Sequence, residues 1–321
     1  MSMSHLFVID PLESLNLPLD SSIRMMFEVS KLGHQIFYCT PTQLYWSNTQ
    51  ASAEAHCTQL KFKDQATDFV VQQHRVVRAL KTFSAIHMRK DPPYDMDYIA
   101  TTWLLDTALP TTRVYNSPHA LRQYNEKLSI LKFPRDCHQA LVTSDPDALF
   151  QFAHDQAGGD AIVKPLTLFG GRGVERIQLS SGEEQVRKKL VKLTSQGTSM
   201  RLIQPFDPAI FVGEVRAFTA FGEPVAWCLK RPAAGNFLAN TRAGATLEHY
   251  KPSHTEIERV SRVAKTLIKD GVFFIGFDLI GGYVSEINIT SPRLLRSPDD
   301  SGNPYGQIAA MIAADLSHHR D

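Results

Sequence analysis

Residues 274–292 read Phe-Ile-Gly-Phe-Asp-Leu-Ile-Gly-Gly-Tyr-Val-Ser-Glu-Ile-Asn-Ile-Thr-Ser-Pro, and this segment decides the fold. Two runs rich in apolar and β-branched residues meet at Gly281 and Gly282, a pattern that predicts a β-hairpin. The segment also carries two acids and an amide. Whether these three side chains meet depends on the length of the hairpin loop.

Loop length decides which polar side chains share one face of the hairpin. A two-residue loop would place Asp278 opposite Ser285 and leave Glu286 on the other face. A three-residue loop that ends at Tyr283 and includes a bulge would place Asp278 directly opposite Glu286. Asn288 would then join them, because residues two apart on a strand point to the same face.

Two carboxylates and an amide oxygen on one face of a sheet predict a divalent-cation site. Such hard oxygen ligands suit Mg²⁺ that carries a nucleotide phosphate. The alternative is a solvated hairpin whose acids share no ligand, and the pattern by itself leaves that alternative open. Features elsewhere in the chain favour the cation site.

The bulk composition is that of an ordinary globular enzyme. The 321 residues are 43% hydrophobic and 21% charged, and the formal net charge of +1 gives no reason to expect a nucleic-acid partner. No apolar run reaches the ~18 residues needed to span a membrane, and no signal-peptide pattern is present. The four cysteines are scattered without metal-binding spacing. We therefore expect reduced thiols and a cytoplasmic location.

Residues 1–123 are predicted to form an open α/β, Rossmann-like domain. A buried strand over 5–10 is followed by the helix-capping run Asp20-Ser21-Ser22 and by a second strand over 35–39. This strand–helix–strand order is typical of a parallel sheet. The other elements predicted in this domain are strands at 84–88 and 112–116 and a helix over 97–108.

The remainder of the chain is predicted to be α+β and mostly antiparallel. We divide it into a small subdomain over 124–198 and a C-terminal subdomain over 199–321. The run Phe221-Gly-Glu-Pro224 marks a tight turn between two antiparallel strands. The predicted strands are 161–164, 174–179, 201–204, 215–221 and 225–230, and the predicted helices are 183–195, 255–270 and 306–316.

A lysine followed by a glycine-rich loop suggests a phosphate site. Lys164 ends an apolar strand at Pro165, where a lysine either extends toward solvent or reaches a ligand. Gly170, Gly171 and Gly173 follow, and glycines allow backbone N–H groups to approach phosphate oxygens. The same glycines also suit a simple hairpin turn, and the P-loop sequence Gly-Lys-Ser/Thr is missing.

Further polar residues fit a nucleotide site when they are considered together. The loop over 231–244 is rich in Gly, Ala and Asn, so it is too apolar for a linker and suits a mobile lid. Gln204 and Phe206 follow a strand and can border an aromatic base. The remaining candidates are Lys127 at a predicted helix start and the pair Glu214 and Arg216, which are otherwise an exposed strand pair.

Taken in their order along the chain, these candidate residues form a pattern that resembles that of the ATP-grasp ligases, and more closely that of the bacterial glutathione synthetases. The resemblance covers nearly the whole chain. Its two most specific segments are Met88-Arg-Lys-Asp-Pro-Pro-Tyr-Asp95 and Glu286-Ile-Asn-Ile-Thr-Ser-Pro292. It implies a fold of three parts: an N-terminal α/β domain, a small α+β domain, and a larger antiparallel domain that clasps ATP.

The resemblance implies a role for each candidate. The residues that would bind ATP are Lys127, Lys164, Gly170, Gly171, Gly173, Gln204, Phe206 and Glu214. The residues that would bind two Mg²⁺ ions, or Mn²⁺ in their place, are Asp278, Glu286 and Asn288. The catalytic residues would be Arg216, Arg231 and Asn240, and the residues that approach the substrates would be Asp20, Ser21, Arg89, Arg242 and Ser291.

The implied reaction joins γ-glutamylcysteine to glycine through an acyl phosphate that the lid protects from water. Two segments depart from the family pattern. The lid contains Ala-Ala-Gly-Asn-Phe-Leu-Ala where more glycines, an acid and another arginine are usual, and Arg293 follows Pro292 where small residues are usual. These departures leave open a paralogue that ligates a different amine, and also a nucleotide-binding regulatory protein without turnover. By analogy we expect a homo-oligomer with small-molecule substrates.

Overall fold

The computed structural model describes residues 3–49, 51–168, 170–241, 244–298 and 300–319. Three β-sheets organise these described residues, and each sheet is packed against helices. Within the described residues, no helix is long and apolar enough to cross a membrane.

The N-terminal sheet has seven strands, and its central part is parallel. The order β2-β1-β6-β7 is parallel throughout, which confirms the predicted open α/β arrangement. The strands are β1 (Ser4–Val8), β2 (Gln35–Cys39), β3 (Leu44–Tyr45), β4 (Glu54–Phe62), β5 (Phe69–Ala79), β6 (Ala85–Met88) and β7 (Arg113–Tyr115). The helices of this region are α1 (Ser21–Lys31), α2 (Met96–Asp106) and α3 (Pro118–Gln123).

The helix after the first strand begins where its capping residue predicts. The Asp20 carboxylate accepts hydrogen bonds from the backbone N–H groups of Ser22 and Ile23, at 2.8 and 3.0 Å. These bonds satisfy two donors that the first helical turn would leave without partners. The helix ends before Gly33, whose φ of +80° reverses the chain into β2.

An antiparallel extension of this sheet was not predicted. The long strands β4 and β5 form a hairpin, and β4 also pairs with β2 and β3. Most of β5 is exposed, so its sequence shows no clear alternation between buried apolar and exposed polar residues. The two-residue period that marks a half-buried strand is therefore weak in this segment.

The second sheet is antiparallel and has four strands in the order β10-β9-β11-β8. These strands are β8 (Leu141–Thr143), β9 (Asp160–Pro165), β10 (Glu175–Gln178) and β11 (Arg201–Pro205), and two helices, α4 (Pro146–Asp155) and α5 (Glu183–Leu193), accompany them. The strand β11, which the predicted division at residue 199 assigns to the C-terminal subdomain, pairs with β9 and β8. The domain division itself stays a prediction.

The third sheet is antiparallel and has five strands in the order β14-β13-β12-β15-β16. These strands are β12 (Glu214–Ala220), β13 (Glu223–Arg231), β14 (Thr246–His249), β15 (Phe274–Ile280) and β16 (Tyr283–Asn288). The helix α6 (His254–Leu267) buries Val260, Val263 and Leu267 in the core next to the sheet, and Gly271 ends it in the left-handed conformation.

The last helix and the end of β7 both join the N-terminal part of the chain to the C-terminal part. The last helix, α7 (Pro304–His318), returns to pack Ile308 and Ile312 into one core with Phe7 and Ile23. The buried side chain of Asn116 accepts hydrogen bonds from the backbone at residues 273 and 274 and donates to the carbonyls of residues 274 and 289. The end of β7 is thereby fixed against the β15–β16 hairpin.

Candidate active site

The β15–β16 hairpin brings the predicted cation ligands onto one face, although not by the predicted loop. Gly281 and Gly282 form a two-residue turn with φ of +56° and +80°, so the predicted three-residue loop is wrong. Beyond the turn, Ser285 forms a bulge, and the bulge restores the pairing of Asp278 with Glu286. The Ser285 hydroxyl donates to the Asp278 carbonyl at 3.1 Å.

Asp278 is buried and surrounded by hydrogen-bond donors. Its Oδ2 accepts from Arg216 Nη1 at 3.0 Å and from Asn288 Nδ2 at 2.9 Å, and its Oδ1 accepts from Lys230 Nζ at 2.6 Å. Burial alone would raise the pKa of Asp278, but Lys230 and Arg216 more than offset it and hold that pKa well below its usual range. Asp278 is therefore charged at neutral pH.

Glu286 is more accessible than Asp278 and has one long contact. Its Oε1 lies 3.3 Å from the Lys127 Nζ, which also donates to the Leu168 carbonyl at 2.5 Å. Lys164 reaches the same region from β9, and its ammonium has no hydrogen-bond partner among the described residues. Burial lowers the pKa of Lys164, as expected for a cation that lacks a direct partner.

The glycine-rich loop connects β9 to β10 and contacts the lid. Gly170, Gly171 and Gly173 all have positive φ, between +64° and +76°, so each uses a conformation that favours glycine. The Asn240 side chain donates to the Gly170 carbonyl at 2.5 Å, and Leu238 lies next to Gly171. The predicted lid is thus placed directly against the predicted phosphate loop.

The other end of the cavity suits a flat, polar-edged ring. Gln204 is buried on β11, and its Nε2 has no hydrogen-bond partner within the described part of the chain. Phe206 lies beyond it, with its ring edge-on to Phe211 and Phe237. A buried donor without a partner is costly. A ligand that accepts from Gln204 would remove this cost.

Glu214 lies between these two ends. Burial raises its pKa to about 7, although the ammonium of Lys230 acts in the opposite direction. The β12–β13 register places Lys230 directly opposite Glu214, and the two side chains form an ion pair. Burial lowers the pKa of Lys230, but attraction to Asp278 and Glu214 outweighs it, so that the pKa of Lys230 is raised.

A partly open cavity of about 250 Å³ joins these groups. Of the residues predicted from the sequence, those that line it are Lys127, Lys164, Gly170, Gly171, Gln204, Phe206, Glu214, Arg216, Asn240, Asp278, Glu286 and Asn288. Those that do not line it are Gly173, Arg231, Asp20, Ser21, Arg89 and Ser291. Arg242 lies outside the described residues.

Arg231 points away from the cavity, and its neighbour Lys230 lines it instead. The Arg231 guanidinium forms a two-pronged ion pair with Glu248 on β14, at 2.6 and 2.8 Å. Lys230 was missed in the sequence because two adjacent cations give no indication of which one faces the site. The alternation of side chains along β13, with Glu214 opposite, was the signal that could have separated them.

Four of the five predicted substrate residues, Asp20, Ser21, Arg89 and Ser291, lie at the joint between the N-terminal sheet and the segment after β16. Arg89 is buried, and its Nε donates to the Ser22 hydroxyl at 3.1 Å while its Nη2 donates to the Pro292 carbonyl at 3.0 Å. The Ser291 hydroxyl donates to the Arg89 carbonyl at 3.1 Å. These bonds hold Arg89 against the end of the hairpin.

Ser21 and Asp20 also serve local structure in this joint. The Ser21 hydroxyl accepts from the Leu294 N–H at 3.0 Å and lies 3.1 Å from the Tyr305 hydroxyl. Asp20 caps α1, as described above. The roles predicted for these residues in substrate binding stay predictions.

Glu126 is a second residue whose contribution the sequence did not reveal. It is half-buried between α3 and the end of β16, where its Oε1 accepts from the N–H groups of Ile289 and Thr290 and from the Thr290 hydroxyl. These three bonds fix the backbone directly after Asn288. Its position beside Lys127 was the only signal in the sequence.

The chemistry of these residues suits a divalent cation bound together with phosphate. No group of three or more His, Cys, Asp or Glu side chains is arranged as a metal site in the described ranges. The hairpin instead offers two carboxylates and an amide, so further ligands would have to come from phosphate oxygens and water. This is how Mg²⁺ is usually bound at nucleotide sites.

Solved structures with the same fold define the class of protein. D-cycloserine synthetase DcsG superimposes with a TM-score of 0.66 at 15% identity, covering 97% of this chain and 99% of that chain. The ATP-grasp ligase PsnB, complexed with a minimal precursor, superimposes with a TM-score of 0.62 at 17% identity, covering 98% and 99%. The chain has the ATP-grasp fold.

The particular family follows from sequence similarity. Residues 3–122 match the model of the prokaryotic glutathione synthetase N-terminal domain, and residues 126–300 match that of its ATP-grasp domain. The glutathione synthetase of Pseudomonas syringae pv. tomato is 36% identical over 303 residues, with 94% of this chain and 93% of that protein covered. That of Vibrio cholerae is 35% identical over 291 residues, with 90% of each covered. The chain belongs to the prokaryotic glutathione synthetase family.

These comparisons confirm the predicted family, fold class and enzyme class. By class the chain is an ATP-dependent carboxylate–amine ligase. The comparisons agree with the use of ATP and small-molecule substrates, and one PsnB structure contains Mg and ADP. The roles of individual residues stay predictions.

Proposed function

We propose that this chain is a glutathione synthetase that joins γ-glutamylcysteine to glycine at the expense of ATP. The observation that carries the proposal is the cavity between the second and third sheets. At one end lies the buried amide of Gln204, whose Nε2 has no partner among the described residues, and at the other end lies the acid–amide set of Asp278, Glu286 and Asn288. This arrangement matches the two ends of a nucleoside triphosphate.

In the proposed binding mode, each part of ATP meets a different element. The adenine lies against Phe206 and accepts from Gln204, and the ribose hydroxyls face Glu214. Lys127 and Lys164 approach the phosphates from the β9 side, where burial already favours an anionic partner for Lys164. The backbone N–H groups of the glycine loop face the same phosphates.

The reaction consists of two transfers. An oxygen of the donor carboxylate attacks the γ-phosphorus, the bond to the β–γ bridging oxygen breaks, and ADP leaves. The acceptor amine then attacks the acyl carbon and inorganic phosphate leaves. We assign to Arg216 the stabilisation of charge on the transferred phosphoryl group, and its contacts with Asp278 and the Arg293 carbonyl on the cavity wall support this role.

Glu286, which shares one face of the hairpin with Asp278 and Asn288, would hold Mg²⁺, or Mn²⁺ in its place. Such an ion neutralises phosphate charge and orients the γ-phosphoryl group. The lid over 231–244 excludes water from the acyl phosphate, and the contact of Asn240 with Gly170 closes one side of the cavity. We place the donor near Arg89, Ser21, Asp20 and Ser291, and we assign a role in substrate binding to Arg242, which lies outside the described residues.

A second candidate keeps the ligase chemistry but changes the amine. Arg293 and Leu295 line the cavity directly after the hairpin. A bulky cation at this position favours an acceptor that carries an additional carboxylate over glycine. This candidate is therefore a paralogue that ligates a larger, acidic amino acid.

ADP release separates these candidates. The protein is incubated with ATP, Mg²⁺ and γ-glutamylcysteine, with glycine or with other amino acids, and ADP is measured. ADP release that depends on glycine supports the proposal. Release that depends on another amine supports the paralogue, and nucleotide binding without turnover would contradict both.

Two further properties complete the proposal. The four cysteines are free and buried, which is consistent with the reducing cytoplasm.

A homo-oligomer is expected from the family, and light scattering of the purified chain tests this expectation. A monomer at micromolar concentration would contradict it.

A further inference from the structure

Lys230 contributes a buried cation at the place where a metal ion would otherwise be expected. Its ammonium contacts two carboxylates, Glu214 and Asp278, and the side chain is about 10% exposed. An ammonium has three N–H donors. Within the described part of the chain, two are directed at these carboxylates and the third remains for a ligand in the cavity.

Asp278 has little capacity left for a metal ion. A carboxylate offers about four acceptor positions. Three of them are used, since Lys230 donates to Oδ1 while Arg216 and Asn288 donate to Oδ2. A second divalent cation at Asp278 would also have to lie close to the Lys230 ammonium, and the two positive charges would repel each other.

Glu286 is in a different position. Its only hydrogen bond among the described residues is the 3.3 Å contact with Lys127, and its side chain is 21% exposed. It therefore has free acceptor positions and access to the cavity. The two facing acids of the hairpin are thus unequal: an ammonium neutralises Asp278, whereas Glu286 remains available to a metal ion.

We propose that the Lys230 ammonium occupies the place of a second divalent cation at Asp278, so that this chain binds ATP with one Mg²⁺, held by Glu286, instead of two. The proposal rests on the proposed function, because it assumes that ATP binds in this cavity. It makes Lys230 a positioning residue that aligns Glu214 and Asp278 and offers its third N–H to the triphosphate.

The test counts metal ions by electron paramagnetic resonance. The full chain is saturated with a non-hydrolysable ATP analogue and titrated with Mn²⁺. The proposal predicts one Mn²⁺ per chain without the spin coupling that two phosphate-bridged ions show. Two coupled ions would overturn this inference alone. Failure of the analogue to bind would overturn the proposed function and the inference with it.

Variants of Lys230 provide a second readout. Lys230→Met should bind two coupled Mn²⁺ ions, and its affinity for the ATP analogue in EDTA should fall about 10- to 100-fold, the range for a charge-assisted hydrogen bond. Lys230→Arg should retain one ion. Lys265→Met, which removes an exposed lysine paired with Glu223, is the control and should match the unmodified chain.

The variant and the unmodified chain test the proposal independently. If Lys230→Met binds one Mn²⁺ with unchanged affinity for the metal-free analogue, the ammonium is only a structural bridge and the proposal is wrong. If that variant does not fold, the metal count of the unmodified chain still decides.

Discussion

The position of Arg216 depends on the absence of a side chain at Gly276. The Arg216 guanidinium lies flat over this glycine, so that a Cβ built there would be 2.5 Å from Nη2 and 2.6 Å from Cζ. Carbon atoms in contact are normally about 3.5–4.0 Å apart. The new methyl group of Gly276→Ala must therefore displace the guanidinium by about 1 Å. The guanidinium moves rather than the strand, because it lies at the flexible end of a long side chain.

A displacement of this size breaks the contacts that place Arg216. Its bonds to Asp278 Oδ2 and to the Arg293 carbonyl are 3.0 and 3.2 Å long, and an extra ångström takes both beyond hydrogen-bonding range. A misplacement of about 1 Å costs on the order of 100-fold in rate. We expect Gly276→Ala to lower kcat by roughly that factor, with an unfolding free energy lowered by only about 1–3 kcal/mol.

The assay is steady-state ADP release at saturating substrates, together with calorimetric affinity for ATP. We expect kcat to fall while the affinity for ATP changes less than about threefold, because in the proposed binding mode Arg216 faces the transferred phosphoryl group rather than the base. Gly302→Ala is the control, since a Cβ there has no atom within 4 Å. A kcat for Gly276→Ala within about twofold of the unmodified chain would refute the role given to Arg216.

Two further predictions concern basic side chains inside the fold, His5 and Lys164. Burial, aided by His34, lowers the pKa of His5 to about 3, so the folded state binds fewer protons than an unfolded histidine with a pKa of about 6.5. The contribution of His5 to stability is then lost as the pH falls below 6.5, by about 2 kcal/mol between pH 7 and pH 5, and burial lowers the pKa of the neighbouring His87 with an effect of the same sign. Urea unfolding at both pH values measures the loss, and equal stabilities would contradict the prediction. Lys164→Met should weaken ATP binding about tenfold. It should not lower the unfolding free energy, because it removes a half-buried charge that has no hydrogen-bond partner among the described residues; a clear loss of stability would contradict this prediction.

The parallel core of the N-terminal domain could be predicted because its elements carry strong local signals. The strand over 35–39 and the helix capped by Asp20 are found as expected. The β4–β5 hairpin could not be predicted, since both faces of its strand β5 are largely exposed and the sequence of β5 therefore has no hydrophobic period. Long-range pairing, rather than the local sequence, defines this extension.

The hairpin of the site shows both what a sequence can predict and where it stops. The pairing of Asp278 with Glu286 was predicted, but a bulge at Ser285 produces it rather than a longer turn. The longer turn and the bulge each add one residue to the hairpin, and the sequence does not reveal at which of these two places that residue is accommodated.

The wall of the cavity shows a second limit of the sequence. Twelve of the predicted residues line one cavity, because the order of motifs along the chain carried that information. To predict that Lys230 and not Arg231 lines the cavity, one needs the strand register. To predict the joint around Arg89, one needs contacts between residues that are about 200 positions apart.

The central claim is that Glu286 holds a cation that activates ATP in this cavity, and the most direct measurement is glycine-dependent ADP release by Glu286→Gln. The substitution keeps the shape of the side chain and removes one negative charge. We expect turnover to be abolished while ATP still binds, because Gln204, Phe206 and the lysines remain. Turnover near that of the unmodified chain would contradict the account.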